Sequence, residues 1–138
     1  IQGELSNPAR AAHFYEESLR ETFPDEPFPR FDLVLLGIGE DGHTASLFPG
    51  TDALVEEERW VVANYVAALS DWRITLTLPA INAARQILFL ATGIQKARIV
   101  AEAFGDAEHE GVLPAERVVP VNGAREVLLD RRAATLLG

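Results

Sequence analysis

The 138 residues suffice for one domain with a single buried core, and 48% hydrophobic with 24% charged residues describe an ordinary globular chain. A formal net charge of −9 argues against nucleic acid or an anionic membrane as the main partner, since both demand a basic face. A small anionic ligand, held by a few well-placed cations, remains open. There is no cysteine, hence no disulfide framework or thiolate metal site, and no apolar run nears the ~20 residues of a membrane span. With no signal-peptide pattern either, the cytoplasm is the expected location. The chain starts Ile1-Gln2-Gly3 and contains no methionine, so it is expected to be the C-terminal part of a longer polypeptide.

Ser6-Asn7-Pro8 is a helix-start signal, and Ala12, Tyr15, Leu19 and Phe23 share a face at helical spacing, which predicts an amphipathic helix over 8–22. His13 beside that face reads as a packing or surface residue. Pro24, Pro27 and Pro29 then form a stiff connection. Leu33 to Leu36 is an unbroken apolar run, the pattern of a parallel strand buried on both faces. After a glycine-rich loop, Thr44 to Phe48 has room for a short turn before Pro49-Gly50. The acidic stretch 51–58 reads as a solvated helix or loop.

Strands are predicted over 60–66 and, from alternation and β-branched residues, over 73–78. A short helix over 79–85 leads to a buried strand over 86–91, and Thr92-Gly93 opens a helix over about 94–104. Residues 106–111 form a polar loop in which His109 should face solvent. Short strands are expected over 118–121 and 126–129, and a closing helix over 131–137. Strands alternating with helices define a layered α/β fold with a mainly parallel sheet, within one domain over 1–138.

Residues 37–42, Gly-Ile-Gly-Glu-Asp-Gly, spell G-x-G-x-x-G after a strand, the dinucleotide-binding fingerprint. Length excludes that reading, because the fingerprint needs a full crossover helix and Pro49-Gly50 stops the chain seven residues later. The loop is better read as a cradle for a polar ligand, with backbone N–H groups exposed at Gly39 and Gly42. Asp41 and His43 flank Gly42, where a carboxylate can orient an imidazole as a base near neutral pH. Their alternatives are an N-cap for Asp41 and a capping or core histidine for His43.

Ser46 lacks the nucleophile elbow G-x-S-x-G and is expected to satisfy local backbone groups. The three histidines have no metal-ligand spacing and no cysteine accompanies them, so no metal site is expected. Lys96, the single lysine beside 11 arginines, stands at the start of a helix past a buried strand. It is suited to a phosphate or is a plain surface residue. Arg73 opens a strand, with a surface ion pair as its alternative.

With His43, Arg73 and Lys96 in place, the sequence resembles the 6-phosphogluconolactonase family, which belongs with the glucosamine-6-phosphate isomerase/deaminase-like proteins. The resemblance rests on FDLVLLGIGEDGHTASLFPG (31–50), WRITLTLPAINAARQILFLATG (72–93), QKA (95–97) and VLLDRRAATLL (127–137). It implies a Rossmann-like layered fold, of the NagB/RpiA/CoA-transferase-like kind. It also implies metal-independent hydrolysis of 6-phospho-D-glucono-1,5-lactone to 6-phosphogluconate in the pentose phosphate pathway. By that analogy His43 is the general base, Asp41 supports it, and Arg73 and Lys96 hold the phosphate of a small sugar-phosphate lactone.

Two departures accompany the match. Leu69-Ser70-Asp71-Trp72 stands where family members often carry a Lys-Pro-Pro loop, and the family's N-terminal half, with its Ser-Gly-Gly phosphate loop, has no counterpart here. The deaminase branch shares the Gly-x-Asp-Gly-His core but places a glutamate where this chain has Phe48. A non-catalytic sugar-phosphate sensor could keep the same loop and cations. Oligomeric state is not legible in the sequence.

Overall fold

The computed structural model describes residues 1–138. Helix α1 (Pro8–Thr22) forms where the sequence places it: Asn7 Oδ1 accepts from the Arg10 N–H at 3.0 Å, and Pro8 needs no partner for a missing N–H. Its buried residues Ala12 and Leu19 pack toward strands β2 (Val61–Val66) and β3 (Asp71–Leu76). Glu16 pins the contact, as one carboxylate oxygen accepts from the Trp60 and Val61 N–H groups while the other meets Arg20.

Strands β2 and β3 form an antiparallel hairpin of their own, with Asn64 opposite Arg73 and Tyr65 opposite Trp72. The parallel sheet is separate and three-stranded, in the order β1 (Val34–Leu36), β4 (Gln86–Ala91), β5 (Ala124–Leu129). The fold is α/β with its main sheet parallel, but the predicted strand pair 60–66 and 73–78 lies outside that sheet. The second strand also begins two residues early, at Asp71, because the hairpin register pairs Asp71 with Val66.

Period-two alternation turns Ile87, Phe89 and Ala91 of the central strand toward one side. There they join Ile81 of α2 (Leu78–Asn82) and Ile99, Val100 and Ala103 of α3 (Ala97–Phe104) in the main core. Fully burying a side chain such as Phe89 contributes about 1.5–3 kcal/mol. The opposite side of the sheet is open. Leu35 is 57% exposed, and Leu90 and Leu128 are exposed with it. The expectation of a first strand buried on both faces is therefore corrected: helices cover one side of β1, and nothing in this chain covers the other.

Three further elements differ from expectation. Helix α2 stops at Asn82, because the Arg85 N–H bonds to Phe31 O at 2.8 Å and draws the chain into the sheet. Residues 118–121 make no strand; Val118 is buried but only Val121 N–H is tied to this layer, to Asn82 O. Residues 131–137 form turns in place of a helix: Asp130 draws the Ala133 N–H onto its carboxylate, a single four-residue bond runs from Ala134 N–H to Asp130 O, and Thr135 to Arg132 and Leu137 to Ala134 are three-residue closures.

Candidate active site

Strand β1 delivers the chain to its carboxyl end at Gly37, where the Thr44 hydroxyl donates to Gly37 O at 2.8 Å and folds the loop back over the strand end. Gly39 then receives His43: the Gly39 N–H donates to His43 O at 2.8 Å, and the imidazole lies directly on the Gly39 α-carbon. A Cβ at Gly39 would meet His43 Nδ1 at 2.1 Å and Asp41 Oδ1 at 2.8 Å. Gly42, at φ +80°, adopts a left-handed conformation and donates its N–H to Gly39 O at 3.1 Å.

These bonds correct one expectation. The N–H groups of Gly39 and Gly42 are engaged within the loop and are not exposed to a ligand. Both glycines are needed for space and backbone conformation, the first beneath His43 and the second against Leu113. The Ala115 N–H, donating to Gly42 O at 3.1 Å, holds the loop from that side as well.

Asp41 and His43 are brought together tightly. Asp41 Oδ1 lies 2.6 Å from His43 Nδ1 and also accepts from the His43 backbone N–H at 3.1 Å. An ionised carboxylate only accepts, so the short contact places the ring proton on Nδ1 and leaves the Nε2 lone pair free. Burial pushes the Asp41 carboxyl up, but the hydrogen bonds it accepts from the His43 backbone and ring outweigh this and hold it below the usual aspartate value. On its other face the imidazole is stacked by Phe48, centroids 4.1 Å apart and planes 19° apart.

Lys96 reaches the same place from the turn 94–96 that precedes α3. Together with Gly37, Gly39, His43 and Ala45 it lines a cleft of about 360 Å³, and it makes no ion pair. Ala45 borders this cleft at φ +49°, a left-handed conformation that costs a non-glycine residue about 1–2 kcal/mol. Asp130 steadies the approach to Lys96 by accepting from the Gly93 N–H at 3.0 Å.

Arg73 is not in that cleft. It lies on β3, ion-paired with Asp71, in a hollow bordered by Gly3, Leu5 and Ser6. A larger hollow of about 600 Å³ includes Asp41, Phe48, Asn64 and Trp72, but neither His43 nor Lys96. His43 and Lys96 thus face the same space only in the smaller cleft.

The Ser46 hydroxyl makes no hydrogen bond in the chain; Thr44 performs the local bonding that was expected of Ser46. His13 is a surface residue beside Glu17. His109, expected in solvent, is instead largely buried, its side chain 16% exposed and its Nε2 3.0 Å from Glu116. Sequence reasoning passed over Thr44, Asn64 and Thr75, which hold the loop. A lone asparagine inside the apolar run Val61-Val62-Ala63-Asn64-Tyr65-Val66 was the available signal.

A parallel α/β layer with a carboxylate-oriented histidine where its first strand ends, and an unpaired lysine across the cleft, defines the class. The description of glucosamine-6-phosphate isomerases/6-phosphogluconolactonase matches residues 1–128, and the chain belongs to that family. It is 44% identical over 133 residues to the 6-phosphogluconolactonases of Rattus norvegicus and Homo sapiens, covering 92% of this chain and 49% of each of those proteins. The Synechocystis 6-phosphogluconolactonase is 39% identical, with 93% of this chain and 53% of that protein covered. Among solved structures, the 6-phosphogluconolactonase from Trypanosoma brucei superposes with a TM-score of 0.82 at 33% identity, covering 95% of this chain and 54% of that one. The chain thus spans about half the length of the relatives it matches.

Proposed function

We propose that this protein acts in hydrolysis of 6-phospho-D-glucono-1,5-lactone to 6-phospho-D-gluconate, with His43 as general base. The observation that carries the reading is the 2.6 Å contact between Asp41 Oδ1 and His43 Nδ1, facing a cleft that also contains Lys96. Family membership and the named relatives support the same reaction.

The steps follow from that arrangement. His43 Nε2 takes a proton from water as the water oxygen attacks the lactone carbonyl, and Asp41 stabilises the imidazolium that forms. The tetrahedral oxyanion then expels the ring oxygen as the carbon–oxygen bond breaks, and Nε2–H returns the proton to that oxygen. A lactone is an activated ester, so no covalent nucleophile is needed, which accords with the unconnected Ser46 hydroxyl. Lys96 meets the phosphate as a point charge without first breaking an ion pair. Arg73 contributes to phosphate binding only after exchanging Asp71 for the ligand. No step calls on a metal or organic cofactor, a nucleic acid or a membrane, and a cytoplasmic setting suits a small phosphorylated substrate. No helix is long and apolar enough to cross a membrane.

Phe48 sets the reading against deamination, since a phenyl ring stacked on His43 cannot carry protons to a sugar ring oxygen. The test is hydrolysis of the lactone, generated in situ from glucose 6-phosphate and measured against its spontaneous opening. Turnover above that background supports the proposal. Turnover of glucosamine 6-phosphate with none of the lactone overturns it.

A further inference from the structure

Two buried polar residues on the hairpin hold the far side of the His43 loop. Asn64 and Thr75 are 3% and 4% exposed, on the one face of β2 and β3 that is turned toward residues 46–51. The Asn64 side-chain amide donates to Ser46 O at 2.8 Å and to Thr51 Oγ1 at 3.0 Å. Thr51 in turn donates its hydroxyl proton to Phe48 O at 2.8 Å. The Thr75 hydroxyl donates to Leu76 O at 3.0 Å, which leaves its lone pair to accept the Ser46 N–H at 3.2 Å.

Each hydroxyl proton in this set has one acceptor, so the direction of every bond is fixed. Ser46 is gripped at both its N–H and its carbonyl, and Thr51 is gripped at its hydroxyl. Phe48 lies between these two tethered positions, and its ring is the surface on which His43 rests. Leu47, beside it, is completely buried and fixes the same turn through its N–H to Thr44 O.

We propose that Asn64 and Thr75 are positioning residues: by clamping Ser46 and Thr51 they set the Phe48 ring over His43 and hold the imidazole in its working orientation. The proposal rests on the assignment of His43 as the base, and it has a structural readout that does not. A ring stacked at 4.1 Å shifts the imidazole C–H proton resonances of His43 upfield through its ring current. Loss of the clamp releases the ring and removes that shift.

The experiment compares the unaltered protein with Thr75→Val, which keeps the side-chain shape and removes the acceptor, and with Thr75→Ser, which keeps the hydroxyl. The His43 resonances are identified by their loss in His43→Asn. In Thr75→Val the His43 signals should move downfield, with kcat for the lactone falling roughly 10- to 100-fold and KM little changed, as expected for a displaced base. Thr75→Ser should restore both. Asn64→Ala serves as the second variant should Thr75→Val not fold, with the same displacement expected. Unchanged His43 shifts and kcat in either folded variant would overturn the clamp while leaving the lactonase reading intact. Displaced shifts in a protein whose unaltered form hydrolyses no lactone would uphold the clamp and remove the reaction.

Discussion

The His43 imidazole rests on the α-carbon of Gly39, so close that a methyl group there would overlap Nδ1 and crowd Asp41 Oδ1. Gly39→Ala should therefore separate the Asp41–His43 pair without touching either residue. The expected result is a kcat at least 100-fold lower with the fold retained, because the base loses its orientation. Kinetics beside a far-ultraviolet circular dichroism spectrum would check it. A variant with near-normal kcat would show that the imidazole works from another position.

Gly42 makes a different prediction. Its φ of +80° disfavours any Cβ, and that Cβ would also meet the Leu113 side chain at 2.8 Å. Gly42→Ala should cost roughly 2–4 kcal/mol from the combined backbone and packing penalties. Adding Leu113→Ala removes the Cδ2 and Cγ contacts but leaves the Leu113 Cβ at 3.0 Å and the backbone strain. Urea denaturation should show the double variant less destabilised than the sum of the two single changes.

The acidic stretch after the loop carries a pH prediction. Glu56 accepts from the Arg59 N–H at 3.0 Å, from the Glu58 N–H at 2.9 Å and from the Arg59 side chain. The Arg59 backbone bond is the largest cause, and together these overcome partial burial and lower the carboxyl from 4.5 to about 2. A depressed carboxyl stabilises the fold above the unfolded value of 4.5, and that contribution is lost as pH falls through about 2. Thermal melts should find Glu56→Gln less stable than the unaltered protein at neutral pH, with the gap closing between pH 4.5 and 2. A gap that does not change over that range would mean that Glu56 acts by shape alone.

Asp71 and Arg73 pair at the surface of the hairpin, where both side chains are substantially exposed. Asp71→Ala should leave the melting temperature essentially unchanged, as isolated surface pairs contribute little. If Arg73 joins the phosphate site, freeing it lowers KM for the phosphorylated lactone, whereas Arg73→Ala raises it. Lys96→Ala should raise KM by about 10- to 100-fold, the range for a hydrogen bond to a charged group. Equal KM values for the unaltered protein and Arg73→Ala would confine phosphate binding to the Lys96 side.

Much of this arrangement could be read from local patterns. Helix α1 follows from Asn7-Pro8 and a 3.6-residue apolar spacing, and β4 follows from an apolar run bounded by Arg85 and Thr92. Asp41 and His43 are two residues apart, so their pairing needed only a tight turn. What escaped was set by distant partners. Ser46 meets Asn64 across 18 residues and Thr75 across 29, separations that leave no periodic trace. The exposure of Leu35 depends on which layers exist, and an apolar run looks the same whether one face is covered or two. The glycines were recognised, but a free N–H and one bonded to a neighbouring carbonyl have the same sequence.

The central claim is that His43, oriented by Asp41, activates water against the lactone. Its most direct test is the rate of lactone hydrolysis by the unaltered protein beside His43→Asn, with binding of 6-phosphogluconate measured in both. The account predicts a kcat lower by roughly 10²–10⁴ with product binding largely retained. Hydrolysis at an undiminished rate in His43→Asn would contradict it and reduce His43 to a structural part of the loop.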